Sequence, residues 1–151
     1  MPFHTIPKLR PQWKILHEFK PRGYVINHTP PVSLRVDAKE HRIFEIDFPP
    51  RWGLWATNSV QMMRLVLWGE TRNYEVAVCR APGKWSRIEI SHEREEDGKY
   101  TLAMAVGGKE VGRVGLEHPL LSNLEDVKFY RGSEEYSQDG AIRGLIVLDK
   151  S

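Results

Sequence analysis

Hydrophobic and polar residues alternate with a period of two along most of this chain, the spacing of strands with one buried and one wet face. Trp13, Ile15 and Phe19 share one side of the run 13–19, and Val32, Leu34 and Val36 alternate with Ser33 and Arg35. Phe44-Glu45-Ile46-Asp47-Phe48 repeats the pattern. Residues 63–68, M-R-L-V-L-W, are apolar at nearly every position, as in a central strand, and Tyr74, Val76 and Val78 then share a face. From Trp85 the alternating runs follow one another as a meander: W-S-R-I-E-I-S-H, D-G-K-Y-T-L-A-M-A-V, G-G-K-E-V, D-V-K-F-Y and G-A-I-R-G-L-I-V-L. Tyr100, Leu102, Met104 and Val106 are expected to point inward, as are Val127 with Phe129, and Ile142 with Ile146 and Leu148. Asp97-Gly98 predicts a type I′ hairpin, and Gly107-Gly108 a second turn.

About ten strands at this spacing predict an all-β fold, an antiparallel two-sheet sandwich. Eight of the ten prolines fall in the first fifty residues, which rules out long helices there. A short helical turn is expected only around 119–124. Residues 1–12 read as an extended N-terminal arm lying along the sandwich or reaching a neighbour, and 13–151 as a single domain. A chain of 151 residues is long enough for one hydrophobic core.

Composition narrows the function classes. A net charge of +2 is too mild to imply nucleic acid. The charge is uneven: up to Arg35 there are six basic residues and one acid, Glu18, whereas acids dominate between Glu89 and Asp97. The basic stretch fits an anionic partner or, more simply, a solvated face. No apolar run approaches the roughly 20 residues that span a bilayer, and the first residues lack the apolar region of a signal peptide. An extracellular location, in mature form or by another export route, is slightly favoured over the cytoplasm, and Asn27-His28-Thr29 is a glycosylation sequon in that setting. The single cysteine, Cys79, excludes an internal disulfide and reads as a small buried residue. The six histidines show no metal-ligand spacing. The acidic stretches 93–97 and 134–139 read as solvated turns rather than Ca²⁺ loops. No cofactor and no metal is expected.

The motifs W-x-x-I-E-I, D-G-K-Y, V-x-G-K-x-V, D-V-K-F-Y and G-x-I-R-x-L-x-V, in this order over residues 85–148, resemble the C-terminal half of a concanavalin A-like jelly roll. That is the fold of laminin G domains and galectins. A second resemblance lies upstream. Galectins hold a β-galactoside with H-x-N-P-R, an Asn and W-G-x-E-x-R. Here Asp47-Phe48-Pro49-Pro50-Arg51 stands at the first motif, Asn58 follows, and Trp68-Gly69-Glu70-Thr71-Arg72 stands at the last. Asp47 replaces the His, Pro49 replaces the Asn, and one residue is missing between Trp68 and Glu70. The resemblance implies that Arg51, Asn58, Glu70 and Arg72 bond sugar hydroxyls and that Trp68 stacks on the ring. Asn73 completes a cluster of Trp, Glu, Arg and Asn within six residues. Sugars need one aromatic face and a fence of planar hydrogen-bonding groups, which these residue types supply. Strand alternation equally allows Trp68 to fill the core.

Glycoside hydrolases of the same jelly roll carry E-x-D-x-E on one strand, placing nucleophile and acid on one face. Glu45 and Asp47 match the first two positions, but Pro49 occupies the third, so the segment reads as the polar face of an edge strand. The expectation is a module that binds a glycan or glycoprotein rather than cleaving it. The alternative is a structural protein-interaction module that assembles as a homo-oligomer through its sheet edges or its N-terminal arm.

Overall fold

The computed structural model describes residues 2–21, 32–47, 60–67, 73–79, 85–116, 123–131 and 140–150. They form eleven strands: β1 (His4–Leu9), β2 (Gln12–Pro21), β3 (Val32–Ala38), β4 (His41–Asp47), β5 (Val60–Leu67), β6 (Asn73–Cys79), β7 (Ser86–Arg94), β8 (Tyr100–Val106), β9 (Lys109–Leu116), β10 (Leu124–Arg131) and β11 (Gly140–Lys150). Sheet A has six strands in the order β1-β10-β3-β4-β5-β6, and sheet B five in the order β11-β2-β7-β8-β9. Every strand pairing among the described residues is antiparallel. Within residues 1–12, β1 lies along the sandwich as the edge of sheet A. The helical turn expected around 119–124 falls largely outside the described residues, and Leu124 already opens β10.

The alternation fixes which side chains meet between the sheets. Trp13, Ile15 and Phe19 of β2, Ile88 and Ile90 of β7 and Leu102 and Met104 of β8 face Leu34 and Val36 of β3, Phe44 and Ile46 of β4, Leu65 of β5 and Val127 and Phe129 of β10 in one cluster. Burying an aliphatic or aromatic side chain of this size stabilises the fold by about 1.5–3 kcal/mol.

Several local features depart from the alternation. In β11 the register against β2 shifts between Arg143 and Ile146, around Gly144 at φ 66°. A one-residue slip exchanges the faces. Leu145 and Val147 therefore pack on the core with Ile142, while Ile146 and Leu148, expected inward, are 50% and 55% exposed. The β7–β8 turn is not type I′. The Gly98 amide donates to the Glu95 carbonyl and only Gly98, at φ 84°, takes the left-handed conformation, which matches a type I turn closed by a glycine bulge. Gly107 and Gly108, both left-handed, form the two-residue turn between Val106 and Lys109.

The β3–β4 hairpin is the strained one. Ala38 pairs with His41, so Lys39 and Glu40 alone make the turn, at φ 49° and 65°. Left-handed backbone costs a residue with a Cβ about 1–2 kcal/mol. Replacing Lys39-Glu40 by Asn-Gly is therefore expected to raise stability by about 1–2 kcal/mol in urea denaturation. An unchanged midpoint would show that the turn carries no strain.

Glu45 and Asp47 do not lie on an edge strand. Sheet A places β4 between β3 and β5, and Asp47 is only 4% exposed. The prolines that follow suggested an edge, but the pairing of β4 is decided by strands distant in sequence.

Candidate functional site

The outer face of sheet A carries a row of polar side chains on β3 and β4. Leu34 and Val36 are committed to the core, so Arg35 and Asp37 alternate onto the opposite face. Arg35 donates to Asp37 through Nε and Nη2 at 3.0 and 2.9 Å, a two-point pair with little exposure on either side chain. Its guanidinium lies 4.3 Å from the ring centroid of Tyr130 on β10. Glu45 stands opposite Arg35 in the ladder and accepts from Arg42 at 3.2 Å. Paired, stacked and half-buried, these groups are held in fixed orientations.

The ladder continues across three strands. Asp47 is opposite Arg64 of β5, which is opposite Glu75 of β6. One row over, Glu45 is opposite Val66, which is opposite Asn73. Of the expected ligand-binding residues, Asn73 is placed, at the head of β6 beside β5. Arg51, Asn58, Trp68, Glu70 and Arg72 lie outside the described residues. Sequence reasoning passed over Arg35, Asp37 and Arg64, and used Asp47 only as a motif position. The available signal was the strict polar alternation in 33–37, which marks a face without saying that it is packed.

The interior holds two polar groups as well. A bulge in β3 turns Ser33 inward between Val32 and Leu34. Its hydroxyl donates to the Ile46 carbonyl at 3.3 Å and lies 3.0 Å from Nε2 of His17 on β2, a hydrogen bond that joins the two sheets. That network makes Nε2–H the donor, so Nδ1 of His17 is a buried acceptor with no partner among the described residues. Burial pushes the His17 pKa down to about 3. His92 of β7, wholly enclosed, lies with Nδ1 2.6 Å from the Pro11 carbonyl and stacks between Trp13 and Tyr100. Burial lowers its pKa, and the Pro11 carbonyl partly opposes that shift. Both histidines serve as neutral core residues. Among the described residues no group of three or more His, Cys, Asp or Glu side chains is placed to hold a metal ion.

No protein-family model matches the chain, and no curated protein matches it in sequence. Solved structures do. A native heptameric SAP-like pentraxin from Limulus polyphemus is similar over 97% of this chain and 67% of its own, at 12% identity and a TM-score of 0.66. Sheep galectin-11, in complex with glycerol, is similar over 97% of both chains, at 13% identity and a TM-score of 0.54. An endo-β-1,4-glucuronan lyase from Trichoderma reesei is similar over 99% of this chain and 78% of its own, at 10% identity and a TM-score of 0.58. An alginate lyase shares the same fold. The two lyases correct the expectation that this domain only binds. That expectation rested on the missing third carboxylate, a requirement of glycoside hydrolysis that says nothing about elimination. No helix among the described residues is long and apolar enough to cross a membrane. The eleven antiparallel strands of the described residues, in two facing sheets similar to those of a pentraxin, a galectin and a lyase, give this chain a jelly-roll sandwich fold.

Proposed function

We propose that this domain recognises a carbohydrate on the outer face of sheet A, with Arg51, Asn58, Trp68, Glu70, Arg72 and Asn73 as ligand-binding residues beside the row Arg35, Asp37, Glu45 and Asp47. The observation that supports it most is that row. Planar hydrogen-bonding groups already paired and oriented on a sheet face lose little entropy on meeting sugar hydroxyls. The galectin-like order of Arg51, Asn58 and W-G-E-T-R supports the same face, because those residues flank β4, β5 and β6 in sequence. Asp47, standing where galectins carry His, favours a sugar different from a simple β-galactoside.

A glycan array with the wild type, Arg72→Ala and Asp47→Asn tests this reading. The wild type is expected to bind a restricted glycan set, with each variant losing tenfold or more in affinity and Arg72→Ala leaving the melting curve unchanged. Absence of glycan binding at high protein concentration would sink it.

A second reading has its own observation. Ile146 and Leu148 are half exposed on β11, the open edge of sheet B, and Arg10 after β1 bonds Asp149 of β11, bringing both sheet edges to one side. Exposed apolar edges of this kind are assembly surfaces. Sedimentation should show a concentration-dependent homo-oligomer that Leu148→Glu disperses. A monomer at all concentrations removes this reading.

A further inference from the structure

A groove of about 300 Å³ opens on sheet B, lined by Gln12, Trp13, Lys14, Glu93, Arg94 and Leu148. Trp13 and Ile15 are in the core, so Lys14 between them lies on the outer face, away from sheet A. Leu148 stands opposite Lys14 in the ladder. The volume is at the lower end of the range for small-molecule sites, about 300–1,000 Å³.

We infer that this groove is a second ligand site, and that it takes a saccharide carrying a single carboxylate or sulfate group. The lining argues for each part of that ligand. Lys14 and Arg94 are the two cations, and neither has an ion pair among the described residues, where most other arginines do. Unpaired cations at the wall of a concavity attract one anionic group. Leu148, 55% exposed, offers an aliphatic surface to the C–H side of a sugar ring. Glu93 and Gln12 add acceptor and amide groups for hydroxyls. The same Glu93, with Glu95, Glu96 and Asp97 on the adjoining turn, repels a continuous polyanion, so the groove selects one charge among hydroxyls rather than a nucleic acid or an acidic peptide. The site is independent of the reading proposed for sheet A and stands if that reading fails.

Calorimetric titration with three tetrasaccharides tests it: a neutral hexose chain, the same chain bearing one sulfate, and the same chain with its terminal hexose oxidised to a uronate. One charged form or both should bind at least tenfold tighter than the neutral chain, and the two charged arms identify the anion. Lys14→Gln with Arg94→Gln should abolish that preference. Lys8→Gln with Lys109→Gln, which removes the same charge from exposed positions elsewhere, should leave it. In the wild type the amide resonances of Gln12, Lys14, Glu93, Arg94 and Leu148 should move with the charged ligands, a readout that needs no variant. Equal binding of all three chains, no binding, resonance shifts elsewhere only, or equal losses in the two lysine-containing double variants would each overturn the proposal.

Discussion

Phe44→Ala is expected to destabilise the domain by about 3–5 kcal/mol, the range for removing a fully buried aromatic ring. Phe44 is fully enclosed and stacks on Trp13 with centroids 5.8 Å apart and planes within 3°. Phe44 belongs to sheet A and Trp13 to sheet B, so the contact spans the sandwich. Trp13 continues to His92 at 5.7 Å, and His92 to Tyr100 at 4.7 Å, giving a column of four rings over β4, β2, β7 and β8. An alanine at its sheet A end leaves a cavity facing rigid rings that cannot close over it. Domains of this size have about 5–15 kcal/mol in total, so the variant should unfold at a much lower urea concentration with an unchanged slope. Phe44→Leu keeps most of the volume and loses the stack, which separates burial from the aromatic contribution of about 0.5–1.5 kcal/mol. A loss below about 1 kcal/mol for Phe44→Ala would mean that the column does not hold the sheets together.

Strand parity made much of this core legible. Trp13, Ile15, Phe19, Leu34, Val36, Leu102, Met104, Val127 and Phe129 all face inward as alternation requires. Parity also places His17 inward, between Ile15 and Phe19, but a lone histidine in an apolar row does not reveal its partner. Ser33 becomes that partner only through a bulge in β3. Where the reading failed, the cause was non-local or conformational. Ile146 and Leu148 were assigned by unbroken alternation, and the shift near Gly144 reversed them. The Lys39-Glu40 turn has no glycine or asparagine to announce it and is imposed by the pairing of Ala38 with His41. The position of β4 inside sheet A depends on β5, whose partner is chosen by the whole sheet rather than by Pro49 and Pro50. For the site, the sequence supplied residue types and order. What it did not supply was register: Asp47, Arg64 and Glu75 are far apart in the chain and adjacent only once β4, β5 and β6 pair.

Stability is expected to fall as pH drops below about 6.5, beginning before the carboxylates titrate. In the folded domain His17 has a pKa of about 3 against 6.5 for the free side chain. Between those values the unfolded chain binds a proton that the folded chain refuses, and each pH unit then removes about 1.4 kcal/mol. The His17 contribution is fully present above pH 6.5. About 2 kcal/mol of it should be gone at pH 5, and on the order of 4–5 kcal/mol at pH 3. His92 is shifted in the same direction and steepens the slope. Asp149, whose carboxyl is held below its ordinary value chiefly by the Arg10 backbone amide, also favours the folded state less in acid, but only below its unfolded value of 3.8. The window from pH 6.5 to 5 therefore isolates the histidines. Urea midpoints across it should decline for the wild type and decline less for His17→Leu, which keeps the core apolar and removes the titrating ring. The physical cause is specific. Nε2 already donates to Ser33, so a proton arriving at Nδ1 meets no acceptor among the described residues and places an unpaired charge between the sheets. A profile flat from pH 6.5 to 5 would mean that this nitrogen finds a partner, or water, and that the bridge between β2 and β3 is not sealed.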